Sequence, residues 1–505
     1  MESTQDGRAP QHHAVISPTR NDPLLRTLSE SVGGPLGDHA APGVVGSGLW
    51  TPERVLIVLT TLAAVLGVVL KGYCRVNGWT TPQHFYATCY SDLPTLFGER
   101  GLAEGVLPFF TQDALFEYPV VMGLIAGATA LLVPGSGVSQ ARATAYFDIN
   151  AVLVAIMWLV AVVATARSNR RRPWDAAMLA IAPGAILSGF INWDMWAVAL
   201  LALGMLAFAR NRPVWAGVFI GLGTATKLYP IVVFGAVLVL AVRTGRYRPL
   251  LLTLAGAAGS WLAVNVPIML MNPAGWAYFL EFTRERPAGF SSIYFAWNLM
   301  AERLHWILLD APGINAMATG SFALACAAVA VVGLHAPRRP RLAQLAFLIV
   351  AAFVLTNKVY SPQFVVWLIP LLALARPRWR DFLLWMAVEA AHWAAVWMYL
   401  GQWTSGGSPQ NNIDSPYYIA AIIAHMGMLG YLCVRVVMDI YNPSSDPIRR
   451  SRQDDPQGGA FDGAPDAVTL RTLRSAFDRI TGRSVQPTAD RTDVARVSTL
   501  GTMDG

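Results

Sequence analysis

Long apolar runs separated by short polar breaks fill the chain from Val55 to Met438. A helix crosses a bilayer with about 20 mostly apolar residues, fewer where protein rather than lipid meets it. By that rule spans are predicted over Val55–Lys71, Tyr118–Val133, Ala145–Ala166, Ala176–Phe190, Met195–Ala209, Val214–Thr226, Ile231–Val242, Leu250–Met271, Ile314–Leu334, Leu342–Thr356, Phe364–Ala375, Phe382–Leu400 and Tyr417–Met438. The pattern reads as an all-α polytopic membrane protein of about 12 or 13 transmembrane helices. Tyr118–Val133 is the weakest run, because it opens on Tyr-Pro and stops at Pro134 before a Gly/Ser loop. If both tails lie on one side, the crossings must be even in number. Twelve crossings are then expected, with Tyr118–Val133 re-entrant or a neighbouring break misplaced.

The polar breaks are of two kinds. Basic clusters stand at Arg167–Arg172, Arg210–Arg212, Arg243–Arg248, Arg338–Arg341 and Arg376–Arg380, with Arg435, Arg449 and Arg450 near the end of the last span. Successive clusters are two spans apart, so all are expected on the cytoplasmic side by the bias of Lys and Arg toward that side. The alternating breaks, Asn192–Asp194, Lys227–Pro230, Asn272–Asp310, Asn357–Gln363 and Gly401–Pro416, carry few net charges and most of the unusual polar residues.

Composition agrees with the pattern: 54% of residues are hydrophobic and 14% charged, against roughly 25% charged in a soluble domain. The polar residues concentrate at the ends. Residues 1–52 and 442–505 are expected to be polar tails, disordered by composition, around a transmembrane domain at 53–441. Within the second tail Leu470, Leu473, Phe477 and Ile480 follow helical spacing among arginines, which allows an amphipathic helix over 466–483. The first apolar run starts too deep in the chain for a cleavable signal peptide and reads as a signal anchor. The net charge of +7 is topological, so nucleic acid is not an expected partner. Cys326 and Cys433 sit in apolar runs, while Cys74 and Cys89 flank one polar loop and can pair if that loop faces an oxidising compartment.

Candidate chemistry gathers in the weakly charged breaks. The first loop mixes acids with apolar residues around Tyr90-Ser91-Asp92-Leu93-Pro94 and Glu117-Tyr118-Pro119. A half-buried carboxylate there gains basicity and can accept a proton, although an Asp before Leu-Pro is also a common helix cap. Asn192-Trp193-Asp194 is an outer turn whose polar residues either form the turn or line a site. Lys227-Leu228-Tyr229-Pro230 and Asn357-Lys358 with Ser361-Pro362-Gln363 each set one lysine before a helix-starting proline, on the side where lysines are rare. Two such lysines suggest an anion site, since phosphate needs Lys as a point charge or backbone N–H groups at a helix start. Glu281, Arg284, Glu285 and Arg286 lie in a loop long enough to cover a site. Glu389 and His392 stand one turn apart inside a span, where His392 is either a packing residue or an orienter of a ligand. No phosphate-cradling Gly loop, zinc spacing or nucleophile elbow occurs.

The ordered set Tyr90-Ser91-Asp92-Leu93-Pro94, Arg100-Gly101-Leu102, Glu117-Tyr118-Pro119, Asn192-Trp193-Asp194, Ala216-Gly217 through Lys227-Leu228-Tyr229-Pro230, and Asn357-Lys358 with Ser361-Pro362-Gln363 resembles glycosyltransferase family 87. The resemblance runs from about Val55 to Tyr441. It implies a glycosyltransferase-C type helical bundle with a periplasm-facing first loop, using a polyprenyl-phosphate-linked sugar, mannose above all, as donor. The acceptor would be an envelope glycolipid or glycan, and transfer would occur with inversion on the extracytoplasmic face of the cell membrane. Asp92 would be the general base, with Glu117 as the alternative acid or base. Lys227, Tyr229, Lys358, Gln363, Asn192, Asp194 and His392 are the expected substrate-binding residues. Preorganised cations, Lys227 or Lys358, can meet the charge of the leaving phosphate, and no cofactor or metal is demanded, because only one carboxylate clearly belongs to the site. A transporter or flippase, which would carry inverted repeats and ion ligands at mid-membrane, and a non-catalytic scaffold subunit are the competing readings.

Overall fold

The computed structural model describes residues 15–17, 21–33, 49–111, 114–406, 413–470 and 472 of the chain. The described residues are helical with no strand. Six helices are long and apolar enough to cross a membrane: Pro52–Val69, Gln140–Ser168, Tyr247–Met271, Ala311–His335, Trp379–Thr404 and Ser415–Tyr441. Caps fix where several of them start. Thr51 accepts from the Arg54 N–H ahead of Pro52, Ser139 accepts from the Arg142 N–H, and Asp310 accepts from the Gly313 N–H. A capping oxygen satisfies an N–H the helix cannot, and Pro at the first turn loses nothing by lacking one.

The remaining predicted spans are shorter than a bilayer needs. Val120–Ala130, Asp194–Ala209, Pro213–Thr224, Tyr229–Thr244, Leu342–Thr356 and Pro362–Ala375 are apolar helical segments of 10–17 residues. Ala176–Phe190 is not one helix but two short pieces, Ala177–Ala180 and Pro183–Ser188, interrupted at Pro183. At 11 residues, Val120–Ala130 is about 16 Å long, roughly half the hydrocarbon core.

Length sorts with environment. Every residue of Val365–Ala375 is buried, as are most of Leu342–Thr356, whereas only 6% of the apolar window of Ala311–His335 and 22% of that of Tyr247–Met271 is covered by protein. Helices apolar on all sides must be covered by protein or lipid; the short ones take the first cover and the long ones present large apolar side chains such as Leu270 and Leu324 outward. Pro213–Thr224 lies against Tyr247–Met271 at backbone contact. A Cβ at Gly217 would stand 1.9 Å from the Thr253 carbonyl oxygen, and one at Gly256 would stand 2.2 Å from that of Val214. Only glycine permits this approach, the small-residue packing of membrane helices.

The basic clusters meet at one end of the bundle, where the segment after Tyr441 covers them. Arg341 pairs with Asp446 at 2.7 Å, Arg243 with Asp466 at 2.7 Å, Arg338 and Arg339 with Asp454, and Arg172 donates to Ser451 Oγ at 2.9 Å. The expected disordered tail is therefore packed through residue 468, with Phe461 buried against Phe208. Composition misleads here because ion pairs to a basic surface, rather than an apolar core, order the segment. In the N-terminal stretch, similarly, Pro23–Gly33 is helical and Asp22 Oδ2 accepts from the Trp379 N–H. Of the predicted helix at 466–483, residues 471 and 473–483 lie outside the described residues.

Candidate active site

The opposite end of the bundle holds a cavity of about 400 Å³. Its wall includes Tyr90, Asp92, Arg100, Glu117, Tyr118, Lys227, Arg286, Tyr360 and Gln363, drawn from loops hundreds of residues apart. Two backbone clasps assemble it. The Asp92 N–H donates to the Ile191 carbonyl at 2.7 Å and Ser91 Oγ donates to the Phe190 carbonyl at 2.8 Å, which docks the first loop on the Asn192 turn. Cys74 and Cys89 are joined by a disulfide, with Cα atoms 5.9 Å apart, and brace the start of that loop.

Asp92 opens the helix Asp92–Glu99 without capping it. Ser91 is the cap, accepting from the Leu93 N–H, so the Asp92 carboxylate is left for other partners. Its Oδ1 accepts from the Tyr90 hydroxyl at 2.6 Å and its Oδ2 from Asn192 Nδ2 at 2.7 Å. One donor on each oxygen fixes the carboxylate and leaves lone pairs over. Burial pushes the Asp92 carboxyl above the usual carboxylate range, against the opposing pull of the Tyr90 and Asn192 hydrogen bonds and of Lys227. Beneath the loop, buried Lys71 donates to the Tyr90 carbonyl at 2.7 Å. Sequence reasoning left Lys71 as the end of a span; a lysine at the outer end of the first apolar run was the available signal.

Asn192 also meets the Tyr118 hydroxyl at 2.8 Å, so one amide bridges the first loop and the Glu117-Tyr118-Pro119 motif. Asp194 is buried behind the wall, accepting from Trp367 Nε1 at 2.7 Å and facing Lys227 Nζ at 3.6 Å. Lys227 Nζ stands 4.5 Å from the Tyr118 ring centre, a cation–π placement, and the residue lines the cavity. A lysine so held presents its remaining N–H donors to an anion. Tyr229 does not reach the wall; its ring stacks on Trp367 at 4.3 Å and supports the Asp194 partner from behind. Gln363 lies on the wall itself.

Three expected residues take other roles in the geometry. Glu117 faces the cavity, but Arg100 donates to both its oxygens at 2.7 Å, a bidentate pair that engages the carboxylate where Asp92 has neutral donors alone. Lys358 Nζ donates to the carbonyls of Arg284 at 3.0 Å and Arg286 at 2.9 Å, tying down the long outer loop. Arg286, carried by that loop, is on the cavity wall instead; it was legible only as one charge among four in a loop that could cover a site. His392 is buried away from the wall, stacked on His425.

Residues 116–362 match the family model of glycosyltransferase family 87. That stretch is narrower than the resemblance read from the motifs; it carries Glu117, Tyr118, Asn192, Asp194, Lys227, Tyr229 and Lys358 and begins after Asp92. No curated protein matches the sequence.

Proposed function

We propose, from the premise that the chain belongs to glycosyltransferase family 87 and so is a membrane glycosyltransferase, that it moves a sugar from a polyprenyl-phosphate donor to a hydroxyl of an envelope glycolipid or glycan. Mannose is the sugar the family resemblance favours. The extracytoplasmic face is the one the basic clusters favour, since they lie at the far end from the cavity.

In this reading Asp92 accepts the proton of the acceptor hydroxyl as its oxygen attacks the anomeric carbon. The bond from that carbon to the phosphate oxygen breaks on the opposite side, which gives inversion, and polyprenyl phosphate departs with the electron pair. Lys227 and Arg286 meet the charge that develops on the phosphate. Asn192 and Tyr90 hold the base, Asp194 holds Lys227, and Gln363 contacts the sugar or acceptor.

The observation that carries the reading is Asp92: a half-buried carboxylate, on the wall of a cavity shared with Lys227, with each oxygen fixed by one neutral donor and neither by a cation. The experiment is transfer of labelled sugar from polyprenyl phosphate in membranes containing the intact chain, Asp92→Asn or Asp92→Ala. Transfer by the intact chain and none by either variant is expected. Undiminished transfer by the variants would remove Asp92 as the base, and absence of transfer by the intact chain with any polyprenyl-phosphate sugar would remove the donor class.

A further inference from the structure

Behind the cavity wall, the helices Trp379–Thr404 and Ser415–Tyr441 pack side by side and bring together three side chains that the transfer reading does not use. Glu389 and His392 come from the first helix, His425 from the second. One oxygen or nitrogen of each lies within 4.8 Å of the others, and all three residues are buried, His425 completely.

Their hydrogen bonds are incomplete in a telling way. Glu389 Oε1 accepts from Trp385 Nε1 at 2.9 Å and from the Tyr360 hydroxyl at 3.4 Å, while Oε2 is 3.6 Å from His425 Nδ1. His425 Nε2 stands 3.3 Å from the Ser291 carbonyl oxygen, an acceptor that requires that nitrogen to carry the proton. Neutral imidazole has one N–H, so Nδ1 then turns a lone pair toward the Glu389 carboxylate. His392, stacked on His425 with ring centres 3.7 Å apart, has neither ring nitrogen partnered. Buried polar atoms without partners are rare and call for a missing one. One nitrogen of a neutral His392 and Nδ1 of His425 thus hold lone pairs beside a carboxylate, and a cation completes such a set.

We infer that Glu389, His392 and His425 form a binding site for a divalent transition metal, Zn²⁺ above all. Two imidazoles and a carboxylate suit zinc and disfavour Mg²⁺ or Ca²⁺, which select oxygen ligands. The Ser291 carbonyl and Trp385 act as outer partners, the first fixing the His425 tautomer and the second orienting the carboxylate. A fourth position is open to water or to the Tyr360 hydroxyl. Binding requires the imidazoles to turn out of their stack so that one nitrogen of each reaches about 2.0–2.2 Å from the ion. Tyr360 and Ser291 both line the cavity, so the metal would clamp the two helices and stiffen one cavity wall without touching the transferred sugar. The site stands whether or not Asp92 is the base.

The test is elemental analysis of the full chain, purified in detergent without chelator, together with replacement of the metal by Co²⁺. The expected result is near-stoichiometric zinc and the visible absorption of four-coordinate Co²⁺. Both should fall at least tenfold in Glu389→Gln, His392→Ala and His425→Ala, while His392→Cys, which keeps a zinc ligand, should retain them. Chelation should lower the Tm of the intact chain. If a variant fails to fold, the intact chain still decides: no metal as purified and no uptake of Zn²⁺ or Co²⁺ would overturn the site. Metal content unchanged in the folded variants would overturn it equally.

Discussion

Apart from the Arg100–Glu117 pair on the cavity wall, the two ends of this bundle treat buried charge in opposite ways. At the basic end, arginines are matched: Arg341 and Asp446 have no exposed side-chain surface and exchange two hydrogen bonds, with two further carbonyls on the guanidinium. Arg376 likewise sits between Asp381 and Asp439. At the cavity end, Asp92 has neutral donors only, and Lys227 keeps 3.6 Å from its one carboxylate. Saturated pairs hold helices and a tail segment together and do no chemistry. Unsaturated ones, bordering an opening, keep capacity for a substrate proton and a substrate phosphate. Where the charge is matched, substitution should cost folding; where it is left open, it should cost turnover.

Arg341→Ala is the severest test of the matched end. Removing one member leaves Asp446 buried and alone, a loss of about 3–5 kcal/mol, to be read as a lowered unfolding midpoint in detergent, with turnover per folded molecule retained. Asp92→Asn should do the reverse. It keeps the side-chain shape and loses the base, so kcat should fall about 10²–10⁴-fold while the midpoint holds; a large stability loss without a rate loss would merge the two ends into one structural class. Lys227→Met should lower kcat about 10²–10³-fold, and Lys227→Arg should restore part of it. The smallest effect is expected for Lys358→Met. That lysine ties the Arg286 loop through two carbonyls, so its loss should raise the donor KM about tenfold and spare kcat.

Much of this division is legible in the sequence. Regular spacing of arginine clusters two spans apart placed them together because a charge that resists crossing the membrane leaves a strong periodic mark. The cavity residues were found as short polar motifs between apolar runs, and Asp92, Asn192, Asp194, Lys227 and Gln363 do converge, Asp194 from behind the wall. What the sequence left open was pairing. Nothing in the motif order says that Arg100 saturates Glu117, that Ser91 rather than Asp92 caps the helix, or that Lys358 points at carbonyls, since each depends on contacts between distant loops. The packed segment from 442 to 468 was missed for a related reason: its five aspartates, Asp446, Asp454, Asp455, Asp462 and Asp466, look like solvated charge until their arginine and backbone partners are placed. The broken Ala176–Phe190 run shows the limit of apolar length as a guide, because helices covered by protein need not span.

The pH dependence of kcat/KM tests the central claim most directly. Burial raises the Asp92 carboxyl, so the base protonates at a higher pH than an ordinary aspartate, and activity should fall on the acid side above the ordinary aspartate range. The stability linkage has the opposite sign: a carboxyl raised in the folded state favours folding at low pH and loses that contribution as pH rises through its folded value, so the activity lost on the acid side cannot be put down to unfolding driven by protonation of Asp92. An acid limb above the ordinary aspartate range in the intact chain, absent from the residual activity of Asp92→Asn, is the expected result. The same limb persisting in Asp92→Asn would contradict the assignment of Asp92 as the base.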